Sequence, residues 1–139
     1  MILGPTGVGK TELCLRVAEF YHIPIINADS RQIYKEMPIG TAAPTPEQQK
    51  RVRHYFVGTL PVEEYYSAAR YEQDALNIID KQFETSDVAL MSGGSMLYID
   101  AVCNGIDDIP TVDEMTRQEL KRRLETSGLD TLREELRLI

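Results

Sequence analysis

Gly4-Pro5-Thr6-Gly7-Val8-Gly9-Lys10-Thr11 is the stretch on which the reading of this chain turns. It satisfies the spacing G-x-x-x-x-G-K-[ST], with apolar Ile2-Leu3 ahead of it and a helix-periodic run, residues 12–19, behind it. Each residue type has a physical reason to be there. Gly4, Gly7 and Gly9 lack a Cβ, so the backbone can take positive φ and close around an oxyanion. Successive N–H groups then form an anion nest, and the N-terminus of the following helix adds partial positive charge. Lys10 supplies a mobile charge for terminal phosphate oxygens, and the Thr11 hydroxyl is placed to ligate Mg²⁺. A glycine-rich turn that merely contains Lys-Thr would not require the flanking strand and helix. The stretch predicts a diphosphate or triphosphate site.

Length and composition set the frame around it. The 139 residues, 42% hydrophobic and 27% charged, fit one domain of ordinary size. A net charge of −7 argues against a stand-alone nucleic-acid binder, which needs surplus Lys and Arg. It leaves room for local basic clusters at Arg51, Arg53 and His54 and at Lys121-Arg122-Arg123, which as a class are most often solvated faces. Cys14 and Cys103 make no disulfide framework and read as free thiols of a reducing compartment. No apolar run is long enough for a membrane span, so the expected location is the cytoplasm, with no membrane partner. Only three residues precede Gly4, short for the strand such a loop follows, and a helical pattern is unfinished at Ile139. Both ends suggest a fragment of a longer protein.

The first helix is expected over residues 10–21, with Leu13, Val17 and Phe20 as its apolar stripe and Leu15 and Ala18 alongside. Residues 23–26 read as a buried parallel strand ending at Asn27-Ala28-Asp29-Ser30. Residues 34–47 carry three prolines and read as a long loop with no regular helix across it. A short strand at 54–57 follows, then a helix over 68–83 capped by Ser67, with Tyr71, Ala75, Leu76, Ile79 and Phe83 on one side. A strand at 88–91 turns through Gly93-Gly94 into a helix over 95–104 that Gly105 ends. Thr111-x-x-Glu114 reads as a capping box for a helix through Leu124, stopped by Gly128, and a last pattern runs Leu129, Leu132, Leu136, Ile139. The sum is an α/β fold: a P-loop NTPase-like parallel sheet with flanking helices over residues 1–110, then the start of a helical extension over 111–139.

In such a sheet, ligands sit at the carboxyl ends of the strands, so Asp29 faces the phosphate site by topology. It could serve as a general base or a Mg²⁺ ligand, or simply cap a turn and orient Ser30. Function is favoured, because a carboxylate beside a phosphate nest with no proton or metal to hold would repel the ligand. His22 and His54 stand isolated in sequence and suggest no metal set or catalytic triad. The residues alone leave two chemistries open. A small-molecule kinase would use Asp29 on a hydroxyl and pass on the γ-phosphoryl; an alkyl transferase would hold diphosphate as leaving group while Asp29 deprotonates an amine.

Four further segments bear on that choice: Ile-Asn-Ala-Asp-Ser-Arg-Gln-Ile-Tyr-Lys at 26–35, Ile-Gly-Thr-Ala at 39–42, Ser-Gly-Gly-Ser-Met-Leu-Tyr at 92–98, and Tyr66-Ser67-Ala68. Gly105-Ile106-Asp107 and Ile109-Pro110 follow. With the glycine stretch, and with Tyr66-Ser67-Ala68 falling between the second and third of them, they make essentially the whole chain resemble the bacterial tRNA dimethylallyltransferases, the tRNA isopentenyl transferase family. The resemblance implies transfer of a dimethylallyl group from dimethylallyl diphosphate to N6 of the adenine at tRNA position 37, beside the anticodon. It implies that Thr6 to Thr11, with Lys10, hold the diphosphate with Mg²⁺, in a loop usually regarded as an ATP site. It further implies that Thr11 steadies the departing oxygen and that Asp29 accepts the N6 proton. Asp29, Ser30, Arg31 and Gln32 match the segment that contacts tRNA; Ser95, in place of a common Thr, and Arg117 match single tRNA-contact positions. Family members are longer, so the chain alone is expected to be inactive; the parent protein is expected to act as a monomer. Shikimate-kinase-like phosphoryl transfer and prenylation of a free adenine nucleotide remain the alternatives.

Overall fold

The computed structural model describes residues 1–4, 7–106 and 112–138. The expectations placed on Pro5, Thr6, Thr111, Ile139 and the boundary at 110 lie outside the described residues. Two compact units are present, residues 1–106 and 107–139.

In the first unit the elements run β1 (Ile2–Leu3), α1 (Lys10–Tyr21), β2 (Ile25–Ala28), α2 (Pro46–Arg51), β3 (His54–Tyr55), α3 (Ala68–Phe83), β4 (Leu90–Gly93) and α4 (Met96–Asn104). The strands form one parallel sheet in the order β1-β4-β2-β3. Parallel neighbours need crossover connections, and the helices supply them while covering both faces. Alternation along β2 and β4 sorts the core into two layers. Ile25 and Leu90 pack with Cys14, Leu15 and Ala18 of α1. Ile26, Ala28 and Met91 pack on the other face with Tyr71, Ala75, Tyr98 and Ile99 of α3 and α4. Tyr71 is fully buried, stacked on Tyr98 at 4.2 Å between ring centroids, and its hydroxyl donates to the Asn27 carbonyl at 3.1 Å.

Several expectations need correcting. The buried stripe of α1 is Cys14, Leu15 and Ala18, whereas Leu13 and Phe20 are 52% and 76% exposed. Two neighbouring stripes of this helix are apolar, and the one facing the sheet is decided by how the glycine loop aims α1. Strand β2 begins at Ile25 because Pro24 has no N–H for the ladder; the Ile25 N–H donates to the Arg53 carbonyl at 2.9 Å. Strand β4 is likewise shifted two residues from 88–91. Strand β3 stops at Tyr55 because Phe56 turns to φ 60°. Helix α2 was missed. Thr45 caps it by accepting from the Gln48 N–H at 3.3 Å, Gln48 returns the favour to the Thr45 N–H at 2.9 Å, and Pro46 takes the first turn, where no N–H is needed. Leu76 and Phe83 of α3 are also exposed, while the Ser67 cap stands as expected, accepting from the Arg70 N–H at 3.1 Å.

The second unit holds α5 (Glu114–Arg137), which departs from helical geometry at Gly128, φ 78°. Its cap is Asp113, whose carboxylate accepts from the Thr116 N–H and hydroxyl, both at 2.8 Å. An Arg123–Glu135 ion pair ties the segments on either side of Gly128. No helix among the described residues is long and apolar enough to cross a membrane.

Candidate active site

The carboxyl ends of β1, β2 and β4 open on a cavity of about 190 Å³. One end is the glycine stretch: Gly7 and Gly9 at φ 88° and 87°, with Lys10 and Thr11 opening α1. These angles are open to glycine and strained for other residues, which accounts for the spacing. Gly4 lies at the end of β1 with φ 154°, and Val8 is 61% exposed.

Asp29, one residue past β2, lines the same cavity as Lys10 and Thr11. Its Oδ1 accepts from the backbone N–H groups of Arg31 at 2.9 Å and Gln32 at 3.2 Å. That turn fixes the plane of the carboxylate, so capping and facing the cavity are one arrangement. Ser30 is held from the side: its N–H donates to Ser95 Oγ at 2.8 Å, and the Ser95 hydroxyl donates to Ser30 Oγ at 3.0 Å. Ser95 is the first residue before α4, and its N–H donates to the Ala28 carbonyl at 3.0 Å. The ends of β2 and β4 are thereby stitched together around Gly93, where an added Cβ would lie 2.2 Å from the Ala28 oxygen. Gln32 lines the cavity, Arg31 is exposed beside it, and Arg117 is exposed on α5 of the second unit.

The sequence reading missed the floor and far wall. Asn27 and Ser92 are buried polar residues whose strand positions put them on the α1 face; Cys14 donates its thiol to Ser92 Oγ at 3.1 Å, and Asn27 Nδ2 donates to the Phe56 carbonyl at 3.2 Å. Period-two alternation from Ile26 and Met91 was the signal for both. Thr41, Ala42, Pro44 and His54 complete the wall. His54, isolated in sequence, is half-buried with Nδ1 2.8 Å from the Val52 carbonyl. Burial pushes its pKa down, against the weaker opposing pull of that hydrogen bond. A carbonyl only accepts, so Nδ1 carries a proton, and in the neutral ring Nε2 is the acceptor.

Among the described residues no three His, Cys, Asp or Glu side chains cluster as a metal cage. The Thr11 hydroxyl in this cavity fits Mg²⁺, which is commonly held by one or two protein oxygens plus phosphate.

Parallel sheet, glycine cradle and cavity at the strand ends define a P-loop NTPase-like α/β fold. Comparison gives the family. The IPP transferase profile matches residues 32–139, and the chain belongs to that family. It is 58% identical over all 139 residues to tRNA dimethylallyltransferase 1 of Bacteroides fragilis and 59% identical to that of Phocaeicola vulgatus. It spans 46% of the length of each of these relatives. The crystal structure of the full-length tRNA isopentenylpyrophosphate transferase of Bacillus halodurans superposes with a TM-score of 0.69 at 31% identity, covering 96% of this chain and 45% of that one. The Staphylococcus epidermidis tRNA delta(2)-isopentenylpyrophosphate transferase gives 0.70 at 34%, covering 89% and 41%.

Proposed function

We propose that the protein containing this chain transfers a dimethylallyl group from dimethylallyl diphosphate to N6 of the adenine beside the tRNA anticodon, in the cytoplasm. The observation that carries this reading is one cavity bounded at one end by the glycine cradle with Lys10 and Thr11 and flanked by the Asp29 carboxylate. In the reaction N6 bonds to the allylic carbon, the carbon–oxygen bond to diphosphate breaks, and diphosphate leaves with the electron pair. The N6 proton passes to Asp29.

An exocyclic adenine amine is a weak nucleophile, because its lone pair is delocalised into the ring. The reaction therefore depends on stabilising charge as it builds on the leaving group. Backbone N–H groups of the cradle and the Lys10 ammonium are preorganised for that, and such donors contribute about 10²–10³ in rate each. The Thr11 hydroxyl hydrogen-bonds the departing oxygen and is suited to holding Mg²⁺, which when bound would neutralise diphosphate charge. Asp29 is held by its turn through Oδ1, and Oδ2 is the oxygen assigned to the N6 proton. The adenine is unreachable while stacked and must be extruded from the anticodon loop to reach the carboxylate. Ser30, clamped by Ser95, and exposed Arg31 are assigned to contact with the RNA around that base, and Arg117 is assigned a tRNA contact of its own on the second unit.

The test is transfer of label. With dimethylallyl diphosphate labelled in the isoprenoid, the full-length protein should place label on tRNA and leave AMP unlabelled. Labelled phosphate on an acceptor when ATP is supplied, or label on AMP in preference to tRNA, would contradict the proposal.

A further inference from the structure

Gln32 is bonded within the fold through both its side chain and its backbone. Its Nε2 donates to the Thr41 carbonyl at 2.9 Å and to the Ala42 carbonyl at 3.4 Å. Its backbone N–H donates to Asp29 Oδ1, and its carbonyl accepts from the Gly58 N–H at 2.9 Å. One residue therefore connects the carboxylate to the 41–42 segment, and Gln32, Thr41, Ala42 and Asp29 all line the cavity.

That segment is part of a body in its own right. The Ala42 N–H donates to the Ile39 carbonyl at 3.1 Å, the Ala43 N–H to Pro38 at 3.0 Å, and Thr41 Oγ1 to Met37 at 2.7 Å. Ala42 sits at φ 50°, a left-handed conformation that an alanine holds only where its surroundings fix it. Such a self-bonded loop moves as a unit, so where it sits depends on its attachments. Gln49 Nε2 holds the far end through the Pro44 carbonyl at 2.8 Å, and Gln32 holds the end that faces Asp29.

We propose that Gln32 is a positioning residue: its amide latches the 37–43 loop at a fixed distance from Asp29 and so sets the width of the slot into which an acceptor base must fit. This rests on the prenyl-transfer reading for what enters the slot, but the latch itself does not. Releasing it leaves the glycine cradle untouched, so donor binding stays while the acceptor loses its alignment.

The experiment uses the full-length protein with Gln32→Met, which keeps the length and removes the donors, and Gln32→Glu, whose carboxylate cannot donate to carbonyls. Without any substrate, amide exchange at Ala42 and Ala43 should quicken about fivefold to tenfold, the loss of one or two hydrogen bonds. With tRNA, kcat should fall about tenfold to a hundredfold, as for an acceptor misplaced by about an ångström, while KM for the diphosphate donor stays unchanged. Exchange at α3 amides in the same data reports whether the fold is intact, and Gln32→Glu serves where Gln32→Met is not. Unchanged loop exchange, or quickened exchange with normal kcat, overturns the proposal. If the wild-type protein does not prenylate tRNA, the functional reading fails, and the substrate-free exchange still decides the latch.

Discussion

Gly93→Ala should damage fold and site together, for a reason visible in one distance. The new Cβ would lie 2.2 Å from the Ala28 carbonyl oxygen and 2.3 Å from its carbon, whereas real Cβ atoms essentially never come within 3.0 Å. The obstacle is backbone, so β2 and β4 must separate at the Ala28–Gly93 pair by nearly an ångström. Overpacking of this kind costs about 1–3 kcal/mol. Separation also stretches the 3.0 Å bond from the Ser95 N–H to the Ala28 carbonyl, worth about 1 kcal/mol. The expected loss is about 2–4 kcal/mol, a large part of the roughly 5–15 kcal/mol that holds a domain folded. Asp29 follows Ala28 directly, so its carboxylate shifts with the strand end, and turnover should fall about a hundredfold. Urea unfolding combined with amide exchange across β2 and β4 reads the stability term. Gly94→Ala is the control, since nothing lies within 4 Å of a Cβ there. Equal stability of Gly93→Ala and wild type, or equal damage from Gly94→Ala, would refute the reasoning.

Tyr71→Phe should lose about 1 kcal/mol, the bond to the Asn27 carbonyl, whereas Tyr71→Ala should lose about 3–5 kcal/mol by opening a cavity against Tyr98; thermal unfolding ranks them, and a reversed order would contradict the packing. His54 has a depressed pKa in the fold, so between the folded and unfolded values the unfolded chain binds the extra proton. Its contribution is therefore present above about pH 6.5 and is lost as pH falls through the folded value; the stability difference between wild type and His54→Gln should shrink between pH 7 and pH 5, and a difference that grows on acidification would contradict the burial account.

What could be read from the chain, and what could not, follows from the range of the interactions involved. The glycine stretch, Ser67, Gly105 and Gly128 act through their own backbone or the next turn, and each stands where it was expected. Capping by Thr45 and Gln48 is equally local and could have been found, but the three prolines around it obscured the signal. Which stripe of α1 is buried depends on the sheet, so Leu13 and Phe20 were misassigned by a pattern that two faces share. At the site, Asp29 was placed by topology, since strand ends and ligand clefts coincide in open α/β sheets. Thr41 reaches the cavity through the 37–43 loop and His54 through the pairing of β3 with β2 at Ile25, and nothing in their spacing announces either. Ser95 was singled out by family resemblance, and the clamp it forms on Ser30 spans 65 positions of chain.

The central claim is that the carboxylate lining the same cavity as the glycine cradle takes the proton from the acceptor amine. Asp29→Asn in the full-length protein tests it most directly, because an amide oxygen can still accept from the Arg31 and Gln32 N–H groups and keep the turn. Single-turnover prenylation of tRNA should slow by about 10²–10⁴, with unfolding midpoint and donor affinity unchanged. Prenylation at the wild-type rate would contradict it.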